Sequence, residues 1–337
     1  MHSSGGRITT AKAPTTPDDP VKGAFRAMEE GAKEEGLSVA DLLKTTDRVI
    51  HGSTIATNAL VERKGGKVGL LTTRGFEGTL HVGRIIQKNA GLSEREVIHV
   101  SRAKKPAPLV ERRMIYGVAE RIDADGDVVA PLDLEDAMKG AGRLVDAGAE
   151  ALAVCFLWSF LNPAHEKTVE RKLRALYPDV FVLASYEAAP VLGEYERMVT
   201  TVLNGYVAGK VSDYVGRFED TLKANGFRGT MLLMQFTGGV SGVDEIRRHP
   251  ITMLDSGPVG GILGAKQIGK SNRDPNLICT DVGGTSFDVG LIRNGAWEIE
   301  DFPVLEQFTF RVPKVLVKSI GSGGGSIIWL DDMGILR

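Results

Sequence analysis

Between Asn276 and Gly295 the chain reads NLICTDVGGTSFDVGLIRNG. Two apolar runs flank Asp281 to Ser286, a stretch that packs poorly and hydrogen-bonds readily. Gly283 and Gly284 permit a tight reversal and leave no side chain in the way of an approaching ligand. The pattern predicts two adjacent antiparallel strands joined at Asp281-Val282-Gly283-Gly284, with Asp281 at the end of a buried strand. Successive backbone N–H groups in such a turn, with the hydroxyls of Thr285 and Ser286, make a nest for phosphate oxygens. Asp281 is then placed to hold Mg²⁺ through water, because magnesium keeps much of its hydration shell. An ordinary hairpin with a polar turn produces the same letters, and short glycine motifs match many unrelated proteins.

Glycine is the compositional outlier. It supplies 41 of 337 residues, about 12% against an average near 7%. It clusters in GGV, SGPVGGILG, DVGGTS and IGSGGGS, which points to backbone turns with a purpose. In SGPVGGILGA, Gly257, Gly260, Gly261, Gly264 and Ala265 recur at helical spacing. Each helical glycine costs about 1 kcal/mol relative to alanine, so four of them need a compensating close approach to another backbone. A partner helix across a cleft would supply it, as would tight helix–sheet packing. Gly323 and Gly324 in IGSGGGS make either another anion-friendly loop or a flexible turn between strands.

A chain of this length exceeds one ordinary core and implies two domains. A formal net charge of −2 gives no bulk attraction to nucleic acid or to an anionic membrane. No apolar run approaches the length of a membrane span. Cys155 and Cys279 lie far apart in apolar runs and read as reduced core thiols. They exclude a disulfide framework or zinc site and make a cytoplasmic setting the default.

Along the chain, GRITTAK reads as a short strand. Asp19-Pro20 opens a helix, with Asp19 as its cap, and Ser38 caps a second one. From Arg48 the order is strand (RVIHGS), helix (TIATNALVERK) and strand (KVGLLTT), an alternation that favours an α/β domain. A hairpin is expected at DADGD. A helix at 134–147, a buried strand ALAVCFLWSF, a helix capped by Asn162 and a strand VFVLASY follow. A long helix from Glu194 to about Ala224 is expected to break near Gly205–Gly209.

Together the glycine stretches resemble the actin-like ATPase superfamily of sugar kinases and heat-shock chaperones. There a strand–turn–strand carrying Asp-x-Gly-Gly-Thr binds ATP phosphates, and a small-residue helix upstream forms the interdomain hinge. Asp281, Gly283, Gly284, Thr285 and Asp288 match the first, and Gly257 to Ala265 the second. HGSTIATNALVERKGGKVGLLTTRGFEGTLHVGR (His51 to Arg84), FLWSFLNPAHE, GEYERMVTTVLNGYV and SIGSGGGSIIWLDD are similar to the hydantoinase/oxoprolinase family, in the family's order and over nearly the whole chain.

This resemblance implies an α/β, two-domain actin-like fold that is incomplete. Residues 1–190 would be the family's N-terminal domain and 191–337 the first part of its ATPase domain. It implies ATP and Mg²⁺ as cofactors and a small-molecule carbonyl substrate. The main expectation is an ATP-dependent hydrolase of cyclic amides such as hydantoin, N-methylhydantoin or 5-oxoproline. The alternatives are a subunit of a ketone carboxylase of the acetone or acetophenone type, and a non-catalytic nucleotide-binding or scaffold subunit. The family's first Asp-x-Gly-Gly-Thr loop is missing ahead of GRITTAK, and family members continue beyond DDMGILR. The chain therefore reads as an internal fragment with about half an ATP cleft, inactive alone. It is expected to form a homo-oligomer or to join a second subunit of the hydantoinase B type.

Further candidates lie in GEYERMVTTVLNGY. Glu194, Arg197 and Thr201 share a helical face, with Glu196 and Thr200 beside them. In one reading Glu196 and Arg197 meet the substrate or its acyl phosphate, while Asn204 and Tyr206 shape the pocket. In the other they are intrahelical ion pairs on a solvated face. Thr54, Thr57 and Asn58 would line a cleft at a helix N-terminus, where the dipole favours an anion, with Ser53 as a plain cap. His51 and His81 are candidates for proton transfer, although a lone histidine is more often structural. His165, in the first turn of a helix, reads as structural.

Overall fold

A computed structural model describes residues 6–14, 16, 18–92, 94–98, 101, 103–283, 287–320 and 323–335. Its helices are α1 (Pro20–Glu34), α2 (Val39–Lys44), α3 (Ile55–Val61), α4 (Thr79–Val82), α5 (Glu94–Val97), α6 (Leu134–Asp146), α7 (Ala164–Leu176), α8 (Ser185–Ala188), α9 (Glu194–Ala224), α10 (Val243–Arg248) and α11 (Ser256–Asn272). The strands before α11 are β1 (Arg48–His51), β2 (Val68–Thr73), β3 (Ile115–Val118), β4 (Arg121–Ile122), β5 (Val128–Ala130), β6 (Ala151–Cys155), β7 (Phe181–Ala184), β8 (Thr230–Met234) and β9 (Val240–Gly242). After it come β10 (Leu277–Val282), β11 (Phe287–Arg293), β12 (Ala296–Trp297), β13 (Ile299–Glu300), β14 (Val304–Leu305), β15 (Phe308–Thr309), β16 (Lys314–Val315) and β17 (Val317–Ile320).

A parallel sheet in the order β3-β2-β6-β7 organises the first half of the chain. Every residue of β2 and β6 is buried, as parallel strands covered on both faces require. Alternation along β2 sends successive side chains to opposite layers. A Cβ on Gly69 would meet that of Leu144 in α6 at 3.0 Å, whereas Val68 faces Gly205 in α9. Helices α6 and α9 therefore cover opposite faces. Helix α9 runs unbroken through Gly205–Gly209, against the expected break. A Cβ on Gly205 would lie 3.0 Å from that of Ala151, so the glycine serves close helix–sheet approach and its poor propensity is offset by packing.

Local signals hold at most element ends. Ser38 Oγ accepts from Asp41 N at 3.1 Å, and the DADGD turn joins β4 to β5. Asp19 precedes Pro20 but makes no capping bond; its carboxylate instead accepts from Arg217 of α9 at 3.3 Å. GRITTAK contributes a single bridge residue, Ile8, in place of the expected strand. The run ALAVCFLWSF is a strand only as far as Cys155, and Trp158, at φ 57°, turns the chain towards α7.

Strand β1 pairs in parallel with β8, and β9 extends this sheet antiparallel. The two halves of the chain thus share a sheet, and one contiguous apolar cluster reaches from Val21 to Val317. A third sheet orders β10-β11-β12, with β17 also on β11. Here β10 departs from expectation. It is an edge strand among the described residues, and Ile278 and Val282 are 75% and 61% exposed. No helix among the described residues is long and apolar enough to cross a membrane.

Candidate functional site

The two strands of the opening stretch pair as their letters predict. Strands β10 and β11 are antiparallel, with Asp281 opposite Asp288 and Val282 opposite Phe287. Directly opposed residues project to the same face, so the two carboxylates lie side by side. Gly284, Thr285 and Ser286 at the tip lie outside the described residues. Helix α11 packs on this hairpin because Gly290 of β11 is bare: a Cβ there would overlap Ile262. Between helix and hairpin is a cavity of about 400 Å³, lined among others by Gly261, Ala265, Cys279, Thr280, Asp281 and Asp288.

Two of the separate glycine motifs thus form one wall, and the third docks at its rim. Gly324 N donates to Gly283 O at 2.8 Å, and Gly323 N donates to Ser326 Oγ at 3.0 Å. Ser319 donates its hydroxyl to the Asp288 carboxylate. A Cβ on Gly261 would meet nothing within 4 Å, so this glycine leaves the cavity open. Asp281 is exposed, and its carboxylate has no hydrogen bond or ion pair among the described residues. Cys279 lines the cavity and is not the core thiol expected; only Cys155 is buried, and burial pushes its thiol up to about 11.

Gly257 and Gly260 lie behind this wall, beside Thr54 and Met234. There the N-termini of α3 and α11 interlock. Ser53 N donates to Ser256 Oγ at 3.1 Å, and Ser256 Oγ donates to Ser53 O at 2.8 Å. Asp255 N donates to Thr57 Oγ1 at 2.9 Å, and Thr57 Oγ1 returns a bond to Asp255 Oδ1 at 3.2 Å. Lys314 closes the junction with an ion pair to Asp255, both side chains being largely buried. Asp255 holds a left-handed conformation, φ 48°. Sequence reasoning missed Asp255 and Lys314, since nothing in spacing pairs residues 59 positions apart. Asn58 Nδ2 only approaches Thr54 Oγ1, at 3.4 Å. The first turn of α3 is therefore used in packing against α11, and Ser53 Oγ accepts from Ile55 N at 3.2 Å as a cap does.

The α9 candidates are not brought to this cavity, and both sequence readings of them need correction. Arg197 is 0% exposed. It donates to Ser159 Oγ, to Ser185 Oγ at 3.2 Å and to Phe156 O at 2.8 Å, and lies over the Phe160 ring. Beside it Glu166, also 0% exposed, accepts from Phe156 N, Ser185 Oγ and Tyr186 N at 2.7–2.8 Å. Burial raises the Glu166 carboxyl, opposed by the Arg197 charge. FLWSFLNPAHE and GEYER are thus two sides of one buried polar network. Arg197 is neither on a solvated face nor open to a substrate.

Glu196 points elsewhere. Arg84 donates to it through Nε at 2.9 Å and Nη2 at 3.0 Å. Burial pushes the Glu196 carboxyl up, but this bidentate pair outweighs it and the net shift is downward. Thr200 and Thr201 bond back to helix carbonyls, Asn204 Oδ1 accepts from Ile251 N, and Tyr206 packs over Gly65. These side chains stitch α9 into the core.

His51 is likewise corrected from a proton-transfer candidate to a packed ring. It stacks on Phe218 at 4.5 Å, and its Nε2 is 2.7 Å from Tyr214 Oη. Burial lowers its pKa to about 4, which keeps the imidazole neutral. His81 Nε2 meets Val110 O at 2.8 Å, and His165 Nδ1 meets buried Glu120 at 2.8 Å, so both are structural.

Comparison with known proteins follows the same outline. Residues 1–177 match the profile of the hydantoinase/oxoprolinase N-terminal region, and 197–337 that of hydantoinase/oxoprolinase. The acetophenone carboxylase gamma subunit of Aromatoleum aromaticum is 39% identical over 335 residues, 98% of this chain and 46% of that protein. A nucleotide-free acetone carboxylase, solved to study ATP-dependent acetone carboxylation, superposes with TM-score 0.87 at 31% identity, covering 100% of this chain and 48% of that one. The ATP-dependent caprolactamase of Pseudomonas jessenii gives 0.86 at 31% identity, covering 99% and 48%. The chain spans about half the length of the relatives it matches.

Proposed function

The chain belongs to the hydantoinase/oxoprolinase family, and from that premise we propose that the Asp281 cavity is the phosphate side of an ATP site serving activation of a carbonyl substrate. The observation that carries this reading is a cavity shared by the small-residue helix α11 and the Asp281 hairpin, lined by two facing carboxylates, with the IGSGGGS loop bonded to the hairpin end at Gly283. The donor set fits magnesium. Mg²⁺ keeps several waters and takes one or two carboxylates together with substrate phosphates. Asp281 and Asp288 supply such a pair, and among the described residues no group of three or more His, Cys, Asp or Glu forms a closed cage.

ATP, when bound, supplies the phosphoryl group that activates a carbonyl oxygen. Asp281 and Asp288 would hold hydrated Mg²⁺, whose charge offsets that developing on the phosphate. Gly261 leaves space for ligand, and the Gly283–Gly324 contact holds the turn against the second glycine loop. The Asp255–Thr57–Lys314 junction fixes the angle at which α11 presents its open face. The substrate class we assign is the cyclic amide. Ketone carboxylation is the second reading, favoured by the 39% identity to an acetophenone carboxylase subunit. That relative is named as a subunit, and a companion chain of the hydantoinase B type would complete the assembly, in the cytoplasm.

Calorimetric titration of Mg²⁺–ATP into the chain and into Asp281→Asn tests the phosphate site. The variant is nearly isosteric but uncharged. It should lose Mg²⁺-dependent affinity while its melting temperature stays put. Equal nucleotide affinity in both would refute the assignment.

A further inference from the structure

A second cavity, of about 390 Å³, lies over the first turn of α9. It shares no lining residue with the Asp281 cavity. Phe76, Val82 and Leu157 give it apolar walls, and Arg84, Glu194 and Tyr195 bring polar groups to it. Gly75 and Gly78 keep it open: a Cβ on Gly75 would meet nothing within 4 Å, and one on Gly78 only Val82 Cγ2, at 3.9 Å.

Two of the polar groups here are under-used. Arg84 spends Nε and Nη2 on Glu196, which leaves the two N–H groups of Nη1 without a partner among the described residues. Glu194 is half-buried, and its side chain makes no hydrogen bond or ion pair among them. It is close enough to Arg84 for its charge to act on the guanidinium. Tyr195 is 4% exposed and lines the cavity, with Gln87 beside its hydroxyl.

We infer that this cavity binds the carbonyl compound, and that Glu194 is the residue that selects an amide over a ketone. An apolar body occupies the Phe76–Val82–Leu157 walls. Its carbonyl oxygen accepts from Arg84 Nη1, and an adjacent N–H donates to Glu194. A cyclic secondary amide carries that acceptor and donor on neighbouring atoms. A ketone of the same shape offers only the acceptor and leaves the Glu194 carboxylate desolvated against CH₂. Sites built to bond an N–H reject analogues that lack it. The inference rests on the carbonyl-activation reading for its ligand class, but binding here does not require nucleotide.

The test uses 2-pyrrolidinone and cyclopentanone, which differ by N–H against CH₂, titrated into the 337-residue chain and followed by saturation-transfer NMR. The lactam should bind at least about tenfold more tightly than the ketone, the scale of one hydrogen bond to a charged group. Glu194→Leu should remove that preference, with Glu194→Met, which likewise offers no strong acceptor, as the substitute if the leucine variant melts early. Gly78→Val should weaken both ligands by filling the cavity. Equal affinity of the two ligands in the unmodified chain overturns the role of Glu194. No binding, or binding indifferent to Gly78→Val, overturns the site. Mg²⁺–ATP titration of the same samples separates the two readings, because Asp281→Asn should leave lactam binding intact.

Discussion

Beneath α9, Arg197 and Glu166 are 0% exposed, and each makes three hydrogen bonds. Around Asp281, by contrast, the carboxylate is exposed and unbonded among the described residues, and the neighbouring Gly261 faces open space. Both regions hold a family motif rich in polar or glycine residues. A buried charge needs partners to be tolerated, so most of its bonding capacity is taken by the fold; of the Arg197 guanidinium only Nε is left without a partner among the described residues. An exposed carboxylate keeps its capacity for a ligand. Motif composition does not distinguish the two cases; burial does.

The sharpest way to break the contrast is Arg197→Met. Arg197 and Glu166 make no direct ion pair among the described residues but act on each other's charge, and removing a buried charge that offsets another is expected to destabilise by about 3–5 kcal/mol, as breaking a buried pair does. Urea unfolding should show a loss of this order, with Glu166 left uncompensated. A variant that keeps its midpoint but loses turnover in a full-length enzyme would return Arg197 to the substrate.

His51 should produce the next largest effect, through pH. Its pKa falls from 6.5 to about 4 on folding, so the unfolded chain binds more protons between those values. The contribution is fully present above about pH 6.5 and is lost as pH falls towards 4. A shift of this size corresponds to about 3 kcal/mol. The stability difference between the unmodified chain and His51→Gln, followed from pH 7 to 4.5, should shrink accordingly. A difference independent of pH would mean that the ring is not held neutral by burial.

Gly261→Ala sharpens the comparison from the other side. Nothing lies within 4 Å of a Cβ there, so the helix should gain up to about 1 kcal/mol. If the open face is for ligand, the added methyl should also reduce Mg²⁺–ATP affinity. A stabler variant with unchanged affinity would make this glycine neutral. The smallest stability effect is expected of Asp281→Asn, within about 0.5 kcal/mol as for surface substitutions away from structural features. A larger loss in thermal melts would show that Asp281 supports the hairpin itself.

Much of this could be read along the chain because it depends on local physics. The α/β alternation, the DADGD hairpin, the Ser38 cap and the antiparallel reversal at Asp281 each follow from turn chemistry, capping and hydrophobic periodicity within a few residues. The misreadings came where a distant partner intervened. Gly205 looked like a helix breaker until Ala151 of β6 was found against it, and Asp19 gave up its cap to Arg217. Arg197, Glu196 and His51 carry reactive groups whatever their surroundings, so their letters could not say whether those groups were free.

Local sequence thus foretold most of the principal strands and helices, though not GRITTAK or the short strands after β11, and marked where backbone can approach backbone. It also determined that Asp281 sits at a reversal between two strands. Folding alone brings helix α11 and the Asp281 hairpin around one cavity, pairs Asp255 with Lys314, and seals Arg197 inside while Glu194 and Arg84 Nη1 are left open. The reason is physical. Turn geometry is set by neighbouring residues, whereas burial and charge pairing are set by elements that meet only when the chain has folded.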